Sequence, residues 1–362
     1  MSERKEHTKL GLWARIFRKR RKVNRTAHFT DVSALACSFM PDGKAVAIGC
    51  KDGQVRLLDL EQRSTLKIID IGLEFSVVFG KKTYREIAEI AISRDGRRMA
   101  VRRESSRSVG VWDLDTGKNI FSKDLSTCND PLHGFTQAIA LSSDGGRLAI
   151  ACSTGNYHAR SGHPNNYLFD IETGQEMLFG GHQLSVVESP LDNRINDIDF
   201  SPDGRFLISV ADDGRAIVWA LDPPGSPQRL VEYKSIILWR VCFSHSGKTF
   251  AAGGCSFREW PSETAPSIKP SIVGYDAKFK AIVAEHGAVY FLAFNRDDSK
   301  LLVSVSAKAP VFNRVWLWSE GSPAECVEHD FGKVLAVSPD ASMIASMLDD
   351  TLVIWDLAQV VQ

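Results

Sequence analysis

The stretch Asp199–Leu221, DFSPDGRFLISVADDGRAIVWAL, sets the terms for the whole chain. It opens on an alternating strand that ends at Phe200 and turns at Ser201-Pro202-Asp203-Gly204. A second strand, Phe206 to Val210, follows; Asp213-Gly214 makes another turn, and Ala216 to Leu221 a third strand. Proline presets φ in such turns, and glycine accepts positive φ without steric cost. Apolar residues alternate on either side of each turn, the period of strands rather than helices. One meander cannot bury its own faces, so copies of it should stack.

The chain supplies those copies. The turn returns at Met40-Pro41-Asp42-Gly43, Ser93-Arg94-Asp95-Gly96, Ser142-Ser143-Asp144-Gly145, Ser244-His245-Ser246-Gly247, Asn295-Arg296-Asp297-Asp298 and Ser338-Pro339-Asp340-Ala341. Its third position recurs at intervals of 43 to 59 residues. Third strands close on Leu58-Asp59, Trp112-Asp113, Phe169-Asp170, Trp219, Tyr275-Asp276, Trp318 and Trp355-Asp356. A repeat of about 40–45 residues with four strands and a closing Trp-Asp is the signature of a propeller blade.

On these residues the chain resembles the WD-repeat β-propeller family over roughly residues 30–362. The resemblance implies an all-β fold, a seven-bladed β-propeller of four-stranded antiparallel blades. The family's Gly-His signature is read at Gly181-His182. The long stretch before the next strand weighs against the family's hydrogen-bonded His–Ser–Asp–Trp network, even in blade four. The last copy ends five residues after Leu357, too soon for a fourth strand. In this family the N-terminal segment often supplies that strand, and Val23 to Asp31 is placed to do so. The expected division is a basic amphipathic tail over 1–24 and a propeller over 25–362.

Charge marks the tail as separate. Net charge is zero, but the first 25 residues hold ten Lys or Arg and two Glu, leaving the remainder acidic. Leu10, Trp13, Ile16 and Phe17 fall on one helical face, followed by Arg18-Lys19-Arg20-Arg21-Lys22. Such a segment suits an anionic membrane surface, nucleic-acid phosphates or a nuclear import receptor. A merely solvated tail is the plain alternative. Arg15 and Arg18 interrupt its apolar residues, so no signal peptide is read. No run of about 18 apolar residues suggests a membrane span. None of the seven cysteines forms a Cys-x-x-Cys pair, and Cys37, Cys152 and Cys242 sit inside apolar strands. They read as buried hydrophobes of a reducing cytosol, so a cytoplasmic location is expected, with the nucleus open to a eukaryotic protein.

Insertions cluster in connections that emerge on one face of a propeller, its top: Ser153–Asn166, Cys255–Ser271, Ser306–Arg314 and Ile71–Arg85. Loops on a rigid scaffold are where binding usually lives; drift of tolerated insertions is the alternative. The resemblance also implies which side chains line the upper mouth of the channel. They are Ser33, Leu35, Glu86, Glu89, Phe135, Gln137, Arg194, Asn196, Asp197, Trp239, Arg240, Tyr290, Phe291, Phe331 and Lys333. Aromatics beside Arg240 and Lys333 suit an acidic or aromatic-bearing peptide.

Chemistry has little foothold. His158 and His163 share one loop, but five-residue spacing without carboxylate or cysteine is a weak metal signal. No phosphate-cradling glycine loop and no Gly-x-Ser-x-Gly elbow occurs. The sequence therefore points to a non-catalytic scaffold, without cofactor or metal, that binds a protein or peptide on its top face as a monomeric disc within a larger complex. The alternative is a nucleic-acid- or membrane-associated factor recruited by its tail. A hydrolase or lyase built around the channel would need carboxylates there, and only Glu86, Glu89 and Asp197 qualify.

Overall fold

The repeated turn is a hydrogen-bond device, and its chemistry explains its sequence. Ser201 Oγ donates to Asp203 Oδ1 at 2.6 Å and accepts from the Phe206 amide at 2.9 Å. Asp203 Oδ1 also accepts from the Arg205 amide at 3.1 Å. The same bonds recur at Ser93/Asp95, Ser142/Asp144 and Ser338/Asp340. The serine hydroxyls lie inside the protein, and the bonds satisfy polar groups that burial would otherwise penalise. Gly204 closes the turn at φ +69°, a conformation that costs L-residues about 1–2 kcal/mol.

In the computed structural model, residues 24–29, 34–78, 81–125, 133–154, 165–182, 194–222, 224–232, 236–256, 271–274, 289–305, 314–319, 325–327, 331–348 and 351–357 are described. They form antiparallel meanders in chain order. Blade one is Ala34–Phe39, Ala45–Cys50, Gln54–Asp59 and Ser64–Asp70. Blade two is Ile87–Ile92, Arg98–Arg103, Ser108–Asp113 and Asn119–Asp124. Blade three is His133–Leu141, Arg147–Thr154, Asn166–Asp170 and Glu176–Phe179. Blade four is Ile195–Phe200, Phe206–Ala211, Arg215–Leu221 and Pro224–Glu232. Three strands of blade five are described, Ile236–Phe243, Thr249–Ser256 and Ser271–Gly274. Blade six is Val289–Phe294, Lys300–Val305, Arg314–Ser319 and Glu325–Val327. Blade seven is Lys333–Val337, Met343–Leu348 and Thr351–Asp356, with Asn24–Phe29 as its outermost strand. That last pairing runs from Asn24 opposite Asp356 to Phe29 opposite Leu352. The first strand of each blade packs on that of the next, and the Lys333–Val337 strand returns to Ala34–Phe39, so the inner strands form a closed ring.

The core lies between blades rather than within any one of them. Ala138, Leu168 and Phe179 of blade three share a cluster with Ile198, Leu207 and Trp219 of blade four. Blades one and two, two and three, four and five, six and seven, and seven and one meet in the same way. A sheet covered on both faces has no wet side. Ala45–Cys50 is accordingly buried along its whole length, and Phe206–Ala211 almost so. The alternation expected on both sides of every turn therefore survives in inner strands such as Ile195–Phe200 only beyond a one-residue offset near the start, and is lost in the second strands. Contact is close: a Cβ on Gly49 would come within 2.5 Å of Ile87 Cγ2 in the next blade.

The two faces of the disc differ. On the lower face the Ser-x-Asp-Gly turns join hands around the ring. The Asp95 amide donates to Ser143 O at 3.1 Å, Ser143 Oγ donates to Pro202 O at 2.6 Å, and the His245 amide donates to Asp298 Oδ1 at 2.6 Å. A cleft of about 320 Å³ lies here between blades three and four, but its Ser142 and Asp144 side chains are already committed to the turn. On the upper face, the connection from blade one to blade two folds into a hairpin of its own, Glu74–Val78 with Lys81–Arg85. Arg103 at the end of a second strand donates to Ile71 O and Gly72 O, at 2.9 and 2.7 Å, which pins this connection to the upper turns.

Candidate functional site

Every inner strand carries the same irregularity near its upper end. Its ladder with the second strand slips between Ala34 and Ala36, Ile87 and Glu89, Thr136 and Ala138, and Ile195 and Asp197. It slips likewise between Leu238 and Arg240, Val289 and Phe291, and Val334 and Ala336. Such bulges bend a strand and re-aim a side chain, and they gather beside functional sites. The residues set outside the ladder at this slip are Leu35, Ala88, Gln137, Asn196, Trp239, Tyr290 and Leu335, one per blade, and blade three has a second slip between His133 and Thr136. Where side chains are described, the residue before the bulge is buried in blades two to six and half-buried at Val334 of blade seven, and the bulged one is half-buried or exposed. Ile195, Leu238 and Val289 are buried, whereas Asn196 and Trp239 are half-buried and Tyr290 is 45% exposed. The bulges sit beside the upper turns, since Ile195 pairs with Ala211 just before Asp212.

Neighbouring bulges are tied together. Asn196 Nδ2 donates to Asp212 Oδ1 at 2.7 Å and across the blade boundary to Leu238 O at 2.8 Å. The Trp239 and Tyr290 rings lie 5.5 Å apart at 50°. Arg240 Nε donates to Tyr290 O at 2.8 Å, which holds the guanidinium beside that pair. On the opposite side, Arg102 pairs with Glu89 at 2.9 Å and donates to Thr136 O at 3.1 Å. The result is a ring with an aromatic and cationic arc at blades five and six and a neutralised arc at blades two and three.

Below this arc, carboxylates sew blade four to blade five. Asp197 Oδ2 accepts from the Val241 amide at 2.9 Å and Asp199 Oδ2 from the Phe243 amide at 2.8 Å. The two-residue period puts both on one face of the strand. Burial pushes Asp197 up to about 7, with Arg240 opposing and Glu89 adding. Burial likewise pushes Asp199 up to about 6 against the Phe243 amide, and Asp212 up to about 6 against Asn196. Asp199 was not among the expected site residues. Its signal is the Asp197-Ile198-Asp199 alternation, where Val289–Phe294 carries no charge.

The other expected residues divide. Arg194 is half-buried at a bridge to Ser153 of blade three, and Glu86 precedes its strand, its carbonyl accepting from the Glu104 amide. Phe291 is half-buried, and Lys333 is exposed at the start of blade seven. Phe331 is a correction. It is fully buried, edge-on to Trp355 at 5.5 Å, and belongs to the core between blades six and seven. The bulge of blade seven falls later, at Leu335. Only the backbone of Phe135 is described. Trp13, Phe17, Arg18, Lys19, Arg20, Arg21, Lys22, His158 and His163 lie outside the described residues. Among the described residues, no group of three His, Cys, Asp or Glu could hold a metal ion.

The His–Ser–Asp–Trp set also needs correction. Despite the long stretch that follows it, His182 is buried with Nε2 2.7 Å from Ser209 Oγ and Nδ1 3.1 Å from the Asp213 carboxylate. The Trp219 indole does not complete the chain. Asn166 Nδ2 donates to Ser209 Oγ at 3.1 Å, and Trp219 Nε1 is buried without a partner among the described residues. In blade seven the indole bond does form, Trp355 Nε1 to Ser346 Oγ at 2.8 Å.

Comparison with known proteins agrees with this architecture. The family model described as WD domain, G-beta repeat matches residues 179–220, which span His182 to Trp219. The Anaphase-promoting complex subunit 4 WD40 domain model matches residues 11–79. Apoptotic protease-activating factor 1 of Danio rerio is 22% identical over 95% of this chain and 28% of its own length. The Denticleless protein homolog of Mus musculus is 27% identical over 48% of this chain and 24% of its own length. The chain thus spans about a quarter of these relatives. Among solved structures, the Cps50 (Swd1) β-propeller domain of Myceliophteria thermophila superposes with a TM-score of 0.65 at 14% identity, covering 92% of this chain and 99% of that one. Kuenenia stuttgartiensis hydrazine synthase gives 0.63 at 15%, covering 90% and 96%. Blade-by-blade meanders, a closed ring of inner strands and a WD-repeat match centred on blade four together place the chain in the WD-repeat β-propeller family.

Proposed function

We propose that this protein is a non-catalytic interaction scaffold that captures a peptide or protein segment on the upper mouth of its ring. The observation that carries this reading is the arc formed by Trp239, Tyr290 and Arg240. Two bulges turn adjacent aromatic rings to the surface, and a bound guanidinium flanks them. Trp, Tyr and Arg dominate binding hot spots because they offer large contact area at low entropic cost. Arg240 spends Nε on Tyr290 O and Nη1 on Trp239 O, at 2.8 and 3.5 Å, which leaves Nη2 for a carboxylate. The affinity capture that tests it uses three baits: the full chain, the chain without residues 1–20, and a Trp239→Ala/Arg240→Ala double variant. Bound proteins are identified by mass spectrometry, and each bait is first shown folded by circular dichroism. Partners lost only with the double variant support the reading.

A second reading rests on the charge division between tail and body. In it the tail recruits the disc to an anionic surface, membrane or nucleic acid. Partners lost only on truncation, with binding that weakens steeply in salt, would favour it.

A further inference from the structure

The hairpin Glu74–Val78/Lys81–Arg85 has two unlike faces, and its register says which residues are on each. Glu74 pairs with Arg85, and Phe75 with Tyr84. Successive side chains of a strand alternate, so Glu74 and Arg85 point one way, and Phe75, Tyr84 and Lys82 the other. The first face is fastened to blade two. Glu74 accepts from Ser106 Oγ at 2.9 Å, lies 3.3 Å from Arg85 Nε, and faces Arg103 at 3.7 Å. A lone two-stranded hairpin is marginal in water; this one is held rigid from beneath.

The second face is left open. Phe75 is 47% exposed and Tyr84 53%, their rings meeting edge-on at 6.3 Å. Exposed Lys82 holds its ammonium 4.6 Å above the Phe75 ring. Leu73, 53% exposed, extends the apolar surface toward the turn of blade one. The hairpin's carboxylate is turned under, so the described side chains of the outward face carry positive charge only. Among the described residues the sheet also stops at two strands.

We infer that this outward face docks an acidic, extended segment of a partner protein, with an apolar side chain seated on Phe75 and Tyr84 and a carboxylate paired with Lys82. The inference rests on the upper-face reading and gives it a partner chemistry. An extended segment suits a surface that can also offer unpaired strand edges. A rigid aromatic pair with a cation over one ring is a pre-formed anchor for it.

The test pans a library of random peptides displayed on phage against the full chain, then measures synthesised winners by fluorescence polarisation. Winners combining Asp or Glu with a large apolar residue are expected. Their affinity should fall at least about tenfold, the loss of one hot-spot contact, in Tyr84→Ser and in Lys82→Glu. It should be unchanged in Leu178→Ser, an exposed side chain on the outer strand of blade three. Both hairpin side chains are exposed, so circular dichroism should show an intact fold. An empty selection or basic winners would overturn the inference. So would winners that need Trp239 and ignore the hairpin, and these would leave the upper-face reading standing. A dimer in sedimentation that Phe75→Ser abolishes would overturn it in favour of a second copy of the chain.

Discussion

At the scale of single residues, the fold depends on a few positions where chemistry leaves little choice. Gly204 takes φ +69°, and an added Cβ would meet no atom within 4 Å. Gly204→Ala should therefore cost about 1 kcal/mol from backbone strain alone. At the equivalent position of blade seven, Ala341 already sits at φ 56°. Ala341→Gly should shift stability the opposite way, by under about 1 kcal/mol, since the freed strain is partly offset by a more flexible unfolded chain. Urea unfolding of the two variants checks both signs. The buried serines make a second contrast. Ser209 Oγ serves His182 and Asn166, whereas the Ser346 hydroxyl serves the Trp355 indole. Ser209→Ala strands two buried partners and Ser346→Ala one, at about 1–3 kcal/mol for each orphaned group. Equal losses in the two variants would show that Asn166 and His182 do not both depend on Ser209.

At the scale of elements, the outermost strand of blade seven comes from the other end of the chain. Asn24–Phe29 covers Thr351–Asp356, and Ala27 is buried in the cluster joining blades seven and one. Without it an edge opens and the ring loses its closing ladder. Deleting residues 1–32 should abolish cooperative melting in circular dichroism, whereas deleting 1–20 should leave the midpoint unchanged. A shortened chain that still melts cooperatively without Asn24–Phe29 would show that the inner-strand ring alone closes the fold. How far each element could be read in advance follows from what specifies it. The lower turns were legible because Ser, Asp and Gly each perform a local task there, as at Ser201, Asp203 and Gly204. Bulges were not, because a bulge is a register offset against a partner strand, and nothing in Ile236–Phe243 by itself marks Trp239 as the residue left out. That is why Trp239 and Tyr290 could be named from family pattern while Phe331 was placed several residues ahead of the bulge in its blade. The Glu74–Arg85 hairpin was read as a connection because its alternation is short and its anchor, Arg103, lies in another blade.

At the scale of the whole molecule, two sets of carboxylates give stability opposite dependences on pH. The turn aspartates are held low. Ser142 and the Gly146 amide depress Asp144, and Ser299 depresses Asp297. A depressed group contributes stability above its unfolded value, and this is lost as pH falls through the folded one. The carboxylates between blades four and five behave in the reverse way. Burial raises Asp197 to about 7 and Asp199 and Asp212 to about 6. A raised carboxyl contributes fully below its unfolded value near 4, and its contribution is lost as pH climbs through the folded value. Stability should therefore peak near about pH 4 and decline on the alkaline side, through about pH 7, by at least about 1 kcal/mol by pH 8. Asp197→Asn removes the titrating proton yet keeps an oxygen for the Val241 amide. It should lessen the alkaline decline by Asp197's share, leaving that of Asp199 and Asp212, and keep the acid decline intact, because the turn aspartates lie on the other face of the disc. Denaturant midpoints of wild type and variant at pH 5 and pH 8 decide the matter. If the wild type gains stability toward pH 8, Asp197 is ionised at little cost, and Arg240 rather than burial governs the seam beneath the binding arc.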